Sequence, residues 1–119
     1  MDGMDNTFGA KLQDLIDLLE AMTQALMLNA MDEYQDRIPL LSSLMEVCFP
    51  AIIMAYSDPL LKEVSEDATY WSDQLGRIIE ALNNDDKFAR IDVLYQETRA
   101  NLIAFLEMIK GSEIAAQKV

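Results

Sequence analysis

Apolar residues return along this chain at alternating intervals of three and four, in four separate runs. The first is Phe8, Leu12, Leu15, Leu19, Met22 and Leu26, and the second is Met31, Tyr34, Ile38, Leu41, Met45, Cys48, Ile52 and Ala55. The third is Leu61, Val64, Ala68, Trp71, Leu75, Ile78 and Leu82, and the fourth is Phe88, Ile91, Tyr95, Thr98, Leu102, Phe105 and Ile109. A 3-4 rhythm places every member of a run on one face of a helix, whereas a half-buried strand would alternate residue by residue. The pattern predicts helices over about 8–29, 31–56, 58–83 and 86–110.

The residues between the runs agree with those limits. Thr7 stands where the first helix needs a cap, and Asn29 stands at the turn into the second. Asp32 followed three residues later by Gln35 reads as a capping box. Ser57-Asp58-Pro59 combines capping residues with a proline whose missing N–H falls in a first turn. Asn83-Asn84-Asp85-Asp86 is a short polar connection in which either aspartate can cap the fourth helix, and Gly111 supplies a stop. Connections this short make neighbouring helices antiparallel, so the expected fold is all-α, an antiparallel up-down-up-down four-helix bundle. One domain accounts for residues 1–119, with 1–6 and 112–119 expected to fray.

The second helix differs from the others. Between Ile38 and Ser57 its only charge is Glu46, and Leu40, Leu44, Val47, Phe49, Ile53 and Met54 lie off the main stripe. The length meets the requirement for a membrane span. A mid-segment carboxylate, Pro39 and Pro50, and a near lack of basic flanks beyond Arg37 oppose that reading, so no membrane is expected. Both prolines avoid the stripe and should point outward, and Pro50 should kink the helix near Glu46-Val47. A helix apolar on two faces must cover the second one. The expected interaction surface is therefore Leu40, Leu44, Val47, Phe49, Ile53 and Met54, extended by Met27 near one end of the bundle.

Composition narrows the chemistry. The 119 residues include 21 acids and nine bases, a formal net charge of -12, with 51% hydrophobic residues. That is apolar enough for a core and too acidic for phosphate-driven binding, so no nucleic acid is expected. There is no histidine, and Cys48 is the only cysteine. A di-metal bundle needs inward Glu and a Glu-x-x-His pair, and structural zinc needs several thiolates, so neither metal nor cofactor is expected. No acid falls on a stripe position, which leaves none desolvated for acid–base work. Cys48 lacks the usual base partner and reads as a small buried hydrophobe. No catalytic residue is assigned. A lone cysteine and a polar, acidic N-terminus give the cytoplasm as the expected location.

Eight methionines, with Met27 and Met54 off the stripes, suit a surface that accepts varied apolar partners. A small, acidic, all-helical chain with a Met-rich apolar face is similar to bacterial secretion and flagellar export chaperones, a likeness of size, charge and helicity. The leading expectation is a non-enzymatic protein-interaction module, homodimeric through the second helix, acting as an adaptor or in the manner of an export chaperone. Two others stand beside it. One is an acidic decoy or inhibitor of a basic protein surface. The other is a small-molecule-binding bundle with a pocket near Trp71, Tyr95 and Thr98.

Overall fold

A computed structural model describes residues 6–56, 68–84 and 86–119. The chain is all-α, and no strand occurs among the described residues beyond one isolated bridge between Thr7 and Lys118. Helix α1 spans Phe8–Met27, α2 Met31–Asp36, α3 Ile38–Ala55 and α4 Ala68–Leu82. Helix α5, Lys87–Ile91, runs directly into a π-helical segment, Asp92–Arg99, and then into α6, Ala100–Ile109. A last short helix, α7, spans Glu113–Ala116. The start signal Ser57-Asp58-Pro59 and the stripe positions Leu61 and Val64 lie outside the described residues, as does the N-terminal segment 1–5.

The caps explain most of the limits. Thr7 accepts from the Ala10 N–H at 3.3 Å and so satisfies one open donor of α1. At the other end Asn29 adopts φ 57°, the left-handed conformation that asparagine tolerates better than most residues. The Ala30 N–H then reaches the Ala25 carbonyl at 2.8 Å, and the Asn29 N–H reaches that of Leu26 at 3.2 Å, which closes a Schellman motif. Asp86 caps α5 by accepting from the Phe88 and Ala89 N–H groups at 2.9 and 3.4 Å. Gly111, at φ 80°, ends α6.

Several expectations need correction. The capping box does not form: Ala30 holds the cap position of α2, and Asp32 lies in its first turn. The second predicted helix breaks at Arg37, two residues before Pro39. The break places Pro39 within the first turn of α3, where its missing N–H needs no partner. α3 runs on through Pro50, and both proline rings are exposed. In the fourth run, Phe88 is 70% exposed rather than inward, and Leu94 occupies the core position assigned to Tyr95. The cause is the π-helical segment. Its wider i→i+5 turn rotates α5 relative to α6, so one 3-4 stripe cannot continue across it.

Helix α1 packs against α2, α3, α5, the π-helical segment, α6 and α7, while α4 packs against α3, α5 and the π-helical segment. The core between them takes all six predicted positions of α1. At one end of the core Trp71 is the junction. Its ring meets Phe49 of α3 edge-on at 6.1 Å and Phe105 of α6 at 5.6 Å, and its Nε1–H donates to the Tyr56 hydroxyl at 2.7 Å. Such pairings add about 0.5–1.5 kcal/mol each beyond the area they bury.

The C-terminal residues do not fray. Ile114 is buried, the Phe8 N–H donates to the Gln117 carbonyl at 2.7 Å, and the Val119 N–H donates to that of Asn6 at 2.9 Å. Gly9 allows the approach: a Cβ there would stand 3.3 Å from the Ala115 Cβ. A segment rich in small and polar residues gives a weak signal in sequence, and one apolar side chain, Ile114, anchors it. Ile114→Ala should therefore lower unfolding free energy by about 2–4 kcal/mol in urea titrations. A midpoint unchanged from wild type would mean that the segment is not docked.

Candidate interaction surface

Helix α3 buries a broad arc. Leu41, Leu44, Met45, Cys48, Phe49, Ile52 and Ala55 are all buried, so Leu44 and Phe49 belong to the core and not to the expected interaction surface. The reason is stripe width. A core-facing helix covers well over a quarter-turn, and residues one step to either side of the central line still point inward. Leu44 lies three residues after Leu41 and four before Cys48. Phe49 lies four after Met45 and meets Trp71 edge-on. Ile53 is half-buried against the core.

What remains outside is narrower and more regular than expected. Leu40 is 53% exposed, Val47 36% and Met54 73%. Their spacing of seven residues puts them on one line along the helix. Ser43, Pro50 and Ala51 flank that line, and Glu46 is exposed a quarter-turn away. By length and composition Met31–Ala55 is long and apolar enough to cross a membrane, and 39% of an 18-residue apolar window within it is buried inside the chain. The seventh predicted residue, Met27, is 63% exposed, but it stands at the C-terminal end of α1 beside Leu28 at 78%. Met27 therefore belongs to a second apolar patch and not to the α3 line.

Among the described residues, those expected to shape a small-molecule pocket make separate contacts. Trp71 lies in the aromatic junction. Thr98 is 1% exposed and accepts from Gln74 Nε2 at 2.9 Å rather than turning back on the Leu94 carbonyl. Tyr95 faces elsewhere, with the Arg99 guanidinium 4.8 Å above its ring. With Thr23, Met27 and Ile91 it lines an open groove of about 380 Å³ between α1 and the π-helical segment.

Gln74 and Thr98 form the centre of a polar layer. Asn101 Nδ2 donates to Gln74 Oε1 at 3.2 Å and to the Tyr70 hydroxyl at 2.6 Å. At its outer edge Arg77 grips Glu97 with two bonds, 2.7 and 2.5 Å long. Those bonds hold the Glu97 carboxyl below the usual carboxylate range. Sequence patterning missed Gln74. Its spacing from Trp71 and Ile78 fits the stripe, and its polarity hid it.

Among the described residues, no group of three or more acids or cysteines is arranged to hold an ion. Burial pushes the Cys48 thiol up to about 12, which keeps it protonated and poorly nucleophilic. The Tyr34 hydroxyl is buried with no hydrogen-bond partner among the described residues, and burial raises its pKa. Searches of protein-family models, curated proteins and solved structures find nothing that matches this chain.

Two buried hydroxyls should thus respond oppositely to removal. Thr98→Val keeps the shape but strands Gln74 Nε2, and should lower stability by about 1–3 kcal/mol. Tyr34→Phe removes an unpaired group, and its urea midpoint should match or exceed that of wild type.

Proposed function

We propose that this chain is a non-enzymatic protein-interaction module that self-associates into a homodimer through the exposed line of α3. The observation that carries the reading is Leu40, Val47 and Met54 at seven-residue spacing, on a helix whose only charge is Glu46. A chain of net charge -12 repels its own copies over most of its surface. An acid-poor apolar line is where that repulsion is least and where area burial gives the most. A two-fold axis beside Val47 would set Leu40 of one copy against Met54 of the other, with Ser43 and Ala51 small enough for close approach. The four helical stretches supporting this face are read as an antiparallel up-down-up-down bundle.

The chemistry of the described residues supports a binding role. Gln74 bonds to Thr98 and to Asn101 in the interior, and the Cys48 thiol is buried and protonated. The adaptor or export-chaperone role follows from the same surface and from residence in the cytoplasm. The salt response separates it from an acidic decoy: an apolar dimer should persist at high ionic strength, and a charge-driven complex should weaken.

Light scattering tests the reading. The wild type should give twice the chain mass of 13.5 kDa at micromolar concentration. Val47→Glu should return it to a monomer with an unchanged far-ultraviolet circular dichroism spectrum. A monomeric wild type, or a dimer that Val47→Glu leaves intact, would overturn it.

A further inference from the structure

We infer that residues 112–119 form an exchangeable strap, and that its seat on α1 takes the same segment from a second copy of this chain. This self-association surface goes beyond the α3 line and does not rest on it. What the seat fits is visible, because the chain's own segment lies in it. Ile114 is buried there, and Gly9 leaves the room that Ala115 fills, since a Cβ on Gly9 would stand 3.3 Å from that of Ala115. The Phe8 N–H donates to the Gln117 carbonyl and the Val119 N–H to that of Asn6, so backbone pairing holds the tail. On its other side the tail borders an open cleft of about 340 Å³ lined by Ala51, Met54 and Ala55 of α3. An apolar anchor, a close approach of small residues and a short backbone pairing can open while the aromatic junction stays closed.

One residue folds the strap back. α6 ends at Ile109 and α7 begins at Glu113, and between them Gly111 takes φ 80°. The Ser112 N–H then donates to the Ile109 carbonyl at 2.9 Å. Glycine occupies this left-handed region at little steric cost, and other residues are strained in it. With helical dihedrals at 110–112 instead, α6 and α7 would join as one helix from Ala100 to Ala116, about 25 Å long. Such a helix carries Ile114 off its own α1 and presents it to the seat of another copy.

Charge permits this occupant. The chain has a net charge of -12, yet Glu113 and Lys118 cancel within the strap, so the donated segment adds nothing to the repulsion between copies. Each exchanged strap refills a seat identical to its own, and two copies close as a two-fold dimer. Tethering presents the strap to its own seat at an effective concentration on the order of millimolar, so the closed form holds in micromolar solution. Exchange takes over as protein concentration approaches that range, or when the hinge no longer favours the turn.

All test chains carry Val47→Glu, which disables the α3 line, so this inference and the α3 dimer fail separately. Sedimentation equilibrium should show that chain monomeric at micromolar concentration. Adding Gly111→Ala strains the closed turn alone, because a Cβ at that position meets nothing within 4 Å. Alanine disfavours the turn by about tenfold per hinge, and exchange relieves two hinges, so dimerisation should tighten by about a hundredfold. Adding Ile114→Asp as well should return the monomer. In the Gly111→Ala dimer, mixed from isotope-labelled and unlabelled copies, a nuclear Overhauser effect should connect Gly9 of one molecule with Ala115 of the other. With Gly111 retained, the same intermolecular contact should appear at millimolar protein and vanish on dilution. Gly111→Ala chains that stay monomeric at millimolar concentration, a dimer that survives Ile114→Asp, or a Gly9–Ala115 contact that stays within one molecule would each overturn the inference.

Discussion

The edge-on contact between Phe49 and Trp71 decides how much of α3 is exposed. Phe49 would otherwise extend the apolar surface of that helix around its other flank, and Trp71 closes that flank by bringing α4 against it. The indole is fixed in turn by its bond to the Tyr56 hydroxyl and by Phe105, so α3, α4 and α6 are registered at one point. A tryptophan suits this position because it has a large apolar body and a single donor to satisfy. With that flank dry, the outward surface of α3 contracts to the line through Leu40, Val47 and Met54.

A second constraint lies one layer along, where Gln74, Thr98 and Asn101 bond to each other across the α4 interface. Buried amides and hydroxyls are costly unless they find partners, so this layer admits one register and disfavours sliding. It coincides with the π-helical segment, whose hydrogen-bond geometry is less favourable than that of an α-helix. The bonds made by Thr98 and Glu97 help to offset that cost. The widened turns also present Tyr95 outward under Arg99 instead of into the core.

Much of this was legible from residue spacing. Phe8, Leu12, Leu15, Leu19, Met22 and Leu26 are all buried because α1 is unbroken and bordered on most sides, which is the condition under which a simple stripe is faithful. Thr7 and Asp86 act as caps because their short oxygens reach the open N–H groups of the next turn. The rest was hidden for physical reasons. A one-residue-wide stripe undercounts a helix packed on two sides, so it leaves Leu44 and Phe49 facing outward. A constant period cannot represent a change of helix type, so it places Phe88 inward. The docking of Ile114 depends on Gly9 providing room more than a hundred residues away, and no local pattern carries that. Of the seven residues expected at the interaction surface, Leu40, Val47 and Met54 share a line, Met27 lies at a separate patch, and Leu44, Phe49 and Ile53 pack inward.

The antiparallel seam near the chain ends has a mechanical consequence. Its hydrogen bonds, from Val119 to Asn6 and from Phe8 to Gln117, lie across the direction of both terminal segments. Tension applied through Asn6 and Val119 would load them one after another, as a zip opens, and not all at once in shear. Under pulling, the molecule would yield first at this seam and release α7 from α1 before the aromatic junction felt the force.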